Sequence, residues 1–173
     1  MFPNEDDIPA TLLYKDPIHN LAVLQLNNRP KVKHKQLTYS KNSYVLRSEN
    51  VYTIGCPWAN TMEDKHVLIK GSTSLSRKLD LIPITMPLNV VNSGGPLFNS
   101  NNELVGMVLF EKHAVDYYEL ERSKIYDYAI PVSTLIMVIK KLKLKKEPQN
   151  LKTSSKELFV ESRNKNVVLI EAY

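Results

Sequence analysis

The amino-acid sequence predicts a mostly antiparallel β-protein closed by one C-terminal helix. Short runs rich in Val, Ile, Leu and Tyr recur along the chain, separated by Asn, Ser, Pro and clusters of charge, which is the pattern of strands joined by turns. One late segment changes period: Leu135, Ile136, Ile139 and Leu142 fall at helical spacing, and lysines gather at its end, where the helix dipole favours cations. The 173 residues, 43% of them hydrophobic, are one domain's worth of chain, and no apolar run approaches the span of a membrane helix.

Taken in order, residues 8–14 and 21–26 read as two strands joined by an Asp-Pro turn, and 31–42 as a polar, basic connector with a short strand expected around Val45. Residues 51–54, 66–72, 81–85, 96–99, 104–110 and 126–130 read as six further strands, with Asn99-Ser100-Asn101-Asn102 as a turn. Ser133 is the expected N-cap of a helix over 134–146. From Glu147 the chain turns polar and loses periodicity until Val167-Val168-Leu169-Ile170, which suits an added strand or an exposed docking segment. The expected divisions are therefore 1–42, 43–146 with the closing helix, and a tail over 147–173.

The stretch with the most chemical content is Asn92-Ser93-Gly94-Gly95-Pro96-Leu97-Phe98, where two of the chain's five glycines follow a serine. A serine nucleophile needs a tight turn that presents Oγ and lets a substrate backbone approach, and glycine permits both. The same residues are also ordinary turn formers between strands.

Three more stretches keep a recognisable order. They are Asp16-Pro17-Ile18-His19-Asn20-Leu21-Ala22-Val23-Leu24, then Val51-Tyr52-Thr53-Ile54-Gly55-Cys56-Pro57-Trp58, then Tyr128-Ala129-Ile130-Pro131 before the helix. Together with the serine stretch they resemble the trypsin-like serine peptidases, in particular the HtrA/Deg (protease Do-like) branch. The resemblance covers residues 8–146. It implies an all-β fold of two antiparallel barrels with a C-terminal helix, the first barrel incomplete here, and an active site in the cleft between them. It further implies Ser93 at the nucleophile position, Asn92, Gly94 and Gly95 as the motif turn, and the backbone N–H groups of Val91 and Ser93 as oxyanion donors.

The departures are as informative. A serine needs a general base, itself oriented by a third group. The family's base is a histidine upstream of the aspartate segment, yet the first histidine here is His19, within that segment, followed by His34, His66 and His113. The aspartate position is Asn20, which favours the wrong imidazole tautomer and carries no charge, a change of about 10⁴-fold in a triad of this kind. Asp16 occupies a different place in the motif. Val91 stands where the family has the oxyanion glycine, and Val90 where it usually has proline; loss of one oxyanion donor costs about 10²–10³ in rate. The chain thus reads as an N-terminally truncated, degenerate member with no catalytic histidine in place.

Composition narrows the other classes. The single cysteine, Cys56, excludes an intrachain disulfide, and the histidines lack metal-ligand spacing, so neither metal nor cofactor is expected. No P-loop or dinucleotide fingerprint is present. The net charge is +5, and the densest basic cluster, Lys140, Lys141, Lys143, Lys145 and Lys146, suits a solvated helix end and lacks the aromatic company of a nucleic-acid patch. Neither nucleic acid nor membrane is an expected partner. An acidic N-terminus without signal-peptide layout, with the lone cysteine, favours a soluble intracellular setting.

Two function classes follow. One is a non-catalytic relative that binds extended peptides or docks on an active homologue, with strand pairing along 104–110 as a route and an oligomer covering the open first barrel. The other is an active serine endopeptidase acting through Ser93, its base supplied by missing N-terminal sequence or a partner chain.

Overall fold

The computed structural model describes residues 8–31, 37–41, 47–55, 67–74, 81–88, 92–109 and 127–144. Among them are eight strands, β1 (Ala10–Asp16), β2 (Leu21–Leu26), β3 (Asn50–Gly55), β4 (Val67–Thr73), β5 (Ile82–Thr85), β6 (Pro96–Asn99), β7 (Leu104–Leu109) and β8 (Asp127–Pro131), and one helix, α1 (Val132–Lys141).

Two antiparallel meanders, β3-β4-β5 and β6-β7-β8, close on each other. The first strands of the meanders pair, β3 with β6, and so do the last, β5 with β8, which completes a closed six-stranded barrel. Closure leaves no free edge within it. The alternation of the strands explains why these residues form it. Val51, Leu97 and Ala129 turn inward, where they pack with Ile82, Ile84, Met86, Val105 and Val108. Their neighbours Tyr52, Phe98 and Ile130 turn outward and serve two outer clusters. A bulge at Val105, between the pairs Leu97↔Gly106 and Phe98↔Leu104, lets both Val105 and Val108 reach the interior cluster.

The β6–β7 turn is built on asparagine. Asn99 Oδ1 accepts the N–H groups of Asn101 and Glu103, both at 3.0 Å. Asn102, at φ 62°, accepts the Tyr52 hydroxyl at 2.6 Å through its own Oδ1. Burial pushes the Tyr52 phenol well up, so it stays a donor.

The first two strands form a two-stranded antiparallel sheet beside the barrel. Leu21, Tyr14 and Val23 pack into one cluster with Leu81, Leu109, Ile130 and Val138, so the hairpin, the barrel wall and α1 share a core. Lys141 Nζ donates to the Tyr14 hydroxyl at 3.0 Å and lies 5.0 Å from the ring centroid, a second link between helix and hairpin. The Tyr14 hydroxyl raises the Lys141 ammonium above its ordinary value. The all-β expectation is thus met by a closed six-stranded barrel, a two-stranded sheet and a closing helix.

Three expectations need correction. The helix runs over Val132–Lys141 rather than 134–146, and its N-cap is Pro131, in extended backbone with no side-chain cap, rather than Ser133. The reason is that Pro131 still pairs with Gly106 in the sheet, so the chain passes from strand to helix without a spacer. At the other end Lys143, at φ 50°, stops the helix: Leu144 N–H bonds Ile139 C=O and Lys143 N–H bonds Lys140 C=O, the paired bonds of a Schellman motif. Finally, β7 offers no edge for an added strand. It pairs with β6 on one side and β8 on the other, and beyond the end of β8 Leu104 exchanges hydrogen bonds with Thr38 and Ser40 of the connector, both at 2.9 Å. The strand expected at Val45, Phe110 and the tail lie outside the described residues.

Candidate active site

Asn92–Gly95 forms a tight turn: Gly95 N–H donates to Asn92 C=O at 3.1 Å, and Gly94 sits at φ 83°. Positive φ at the third position is the signature of a type II turn, the conformation for which glycine is suited. The turn is fixed from two directions. On one side Gly94 N–H donates to Val108 C=O and Gly95 C=O accepts from Val108 N–H, each at 2.8 Å, which ties it to β7. Beneath it the Asn92 side chain is buried at 1% exposure against the end of β3. A Cβ on Gly55 would fall 2.5 Å from Asn92 Nδ2, and one on Gly95 would fall 3.3 Å from Thr53 Oγ1. Glycine at 55 leaves the room that the Asn92 amide occupies.

Ser93 therefore rides half-buried on a turn whose base is clamped, with exposed Gly94 beside it. Gly94, exposed and without a side chain, leaves the backbone of the turn accessible beside the serine. Of the two oxyanion positions named from the sequence, Ser93 belongs to this turn and Val91 lies outside the described residues.

Asn20 ends the four-residue turn between the register partners Asp16 and Leu21, at φ 52°. Left-handed backbone favours Asn or Asp over most residues, so the conformation admits either and does not select the amide. The same turn is organised by Asp16, which is buried. Its Oδ1 accepts the backbone N–H groups of Ile18 and His19, both at 3.1 Å, and its Oδ2 lies 2.9 Å from His19 Nδ1. The His19 side chain, then the two backbone N–H groups, hold the Asp16 carboxyl below the ordinary carboxylate range against the opposing effect of burial. Asp16 thus serves the turn. The Asp16–His19 pair was not anticipated, although an Asp-Pro opening with a polar residue three positions on is a readable turn signal.

The hairpin turn and the serine turn are connected through adjacent residues of β7. Leu21, next to Asn20, packs in one cluster with Leu109, and Val108 holds Gly94 and Gly95. Both segments thus meet neighbouring positions of β7. His19, the one histidine among the described residues, directs its Nδ1 to Asp16; His34, His66 and His113 lie outside them. Among the described residues no group of three or more His, Cys, Asp or Glu could hold a metal ion, and no helix is long and apolar enough to cross a membrane.

No curated protein matches the chain. A family model described as a trypsin-like peptidase domain matches residues 1–107, a span that takes in the β1–β2 hairpin, the serine turn and most of β7. With more than half of its length matched, and with a closed six-stranded barrel carrying the serine turn beside a two-stranded sheet, the chain belongs to the trypsin-like peptidase domain family.

Proposed function

We propose that this chain is an HtrA/Deg-type relative whose peptidase chemistry is impaired, and that it acts as a peptide-binding or regulatory pseudopeptidase. The observation that carries the reading is the state of the acid–base pair. Asn20 occupies the aspartate position, and the histidine beside it gives its Nδ1 to Asp16, which is committed to the hairpin turn. A general base works by abstracting the serine proton from within hydrogen-bond reach, and the Nδ1 of His19 is directed to Asp16 instead. Polypeptide is the proposed ligand, because the Ser93–Gly94 surface suits the approach of an extended backbone. A second copy or an active homologue is a further candidate partner.

One observation favours the alternative, an active endopeptidase whose base comes from elsewhere. The serine turn keeps an ordered geometry, with Gly94 at φ 83° and both its glycines bonded to Val108. Labelling with a fluorophosphonate probe separates the two, because covalent capture needs an activated Ser93 and a working oxyanion pocket. The folded chain is expected to stay unlabelled, at the level of Ser93→Ala. Labelling that disappears in Ser93→Ala would establish a base and end the pseudopeptidase reading.

A further inference from the structure

The hairpin is the one sheet among the described residues with open edges, and it also collects the exposed apolar side chains. Leu12 (54%), Leu13 (45%), Ile18 (75%) and Leu24 (37%) lie on it, and Met137 (50%), Ile139 (41%) and Leu144 (41%) lie on α1 or just beyond its end; Val67 alone is elsewhere. Leu12 and Leu24 are register partners, so they form one patch. β1 pairs only with β2, which leaves its outer edge without a partner among the described residues. An exposed edge with apolar side chains is a template for another strand.

The chain itself delivers a candidate to this edge. Lys141, in the last turn of α1, bonds Tyr14 of β1, and the Schellman turn at Lys143 follows at once. The described chain therefore leaves the helix just after its contact with β1. Residues 145–173 contain Leu158-Phe159-Val160 and Val167-Val168-Leu169-Ile170, separated by Glu161-Ser162-Arg163-Asn164-Lys165-Asn166, which is the pattern of two short strands about a polar turn. The segment 145–157 reaches roughly 40 Å at about 3.3 Å per extended residue, ample to pass either end of a seven-residue strand.

We propose that the C-terminal segment 158–170 docks on the hairpin, 167–170 pairing with the free edge of β1 and the apolar side chains covering Leu12 and Leu24. The occupant is thus intramolecular, and the cover of the two-stranded sheet comes from a later segment of the same chain.

Amide hydrogen exchange on the full chain tests this. The β1 amides that do not bond β2 are expected to be protected by about tenfold or more at every protein concentration. Val168→Pro, which removes a ladder donor, is expected to abolish that protection and leave β3–β8 unchanged. Free exchange of those amides in the unmodified chain overturns the proposal. So does protection that grows with concentration, which would place a second copy on the edge, or protection that survives Val168→Pro. Should Val168→Pro disturb the barrel as well, a nitroxide on Val168→Cys in a Cys56→Ser background decides: broadening of the β1 resonances upholds the proposal, and sharp β1 resonances overturn it.

Discussion

An ideal Cβ on Gly55 falls 2.5 Å from Asn92 Nδ2, in a place where Asn92 is 1% exposed and cannot swing into solvent. Gly55→Ala is therefore expected to lower stability by about 1–3 kcal/mol, the range for overpacking a filled site, and urea denaturation measures it. An unchanged midpoint would mean that the asparagine amide has room to withdraw. Asp16 makes a prediction of a different kind. Its folded carboxyl titrates below its ordinary value, with the His19 side chain as the leading cause. A depressed carboxyl contributes stability that is fully present above the ordinary carboxylate range and is lost as pH falls through the folded value. Asp16→Asn should therefore flatten that acid limb of a melting-temperature profile and cost about 1 kcal/mol near neutrality through the weakened bond to His19. Parallel profiles for the two proteins would remove Asp16 from the account. At this scale the serine turn was legible, because consecutive glycines after a serine state a local backbone requirement. The Asp16–His19 pair was not read, since it depends on which of several nearby partners a side chain chooses.

Strands and turns were legible element by element where the reason for them is local. Two strands fall on the residues expected, Leu21–Leu26 and Pro96–Asn99, and the others shift by one or two positions. What the pattern could not express was tertiary. The bulge at Val105 is set by the fit of β7 against β6, and the helix start is set by Pro131 still being a strand residue. The early stop was hidden because a lysine occupies the left-handed position where glycine usually announces it. That substitution is testable. A side chain in left-handed backbone costs about 1–2 kcal/mol, partly offset by the freedom glycine gains in the unfolded chain. Lys143→Gly is expected to stabilise the protein by about 0.5–1 kcal/mol by the difference between these, measured by chemical denaturation. A destabilised variant would show that the Lys143 stem packs on the helix end.

The whole molecule joins two bodies of unequal resistance. The barrel is closed, so each of its six strands has partners on both sides, and its interior holds Ile84, Leu97 and Val108 at 0% exposure. An isolated two-stranded hairpin is marginal in water. Here it persists through the shared apolar cluster and the Lys141–Tyr14 contact. Local opening should therefore begin at the hairpin, and the cluster that holds it should control how often. Val138 is the helix residue at the centre of that cluster, 3% exposed, and it lies outside the barrel interior. Val138→Ala is expected to cost about 1–3 kcal/mol, and the loss should be uneven. The amides bonded between β1 and β2 should exchange about tenfold faster, whereas those of β3 and β6 keep their rates, because sub-global opening reports the stability of its own unit. Equal acceleration everywhere would mean that hairpin and barrel unfold as one. The unequal result would place the Asn20 turn on the mobile side of the junction and the Ser93 turn on the fixed side, so that any ligand spanning both would bind to one rigid wall and order the other.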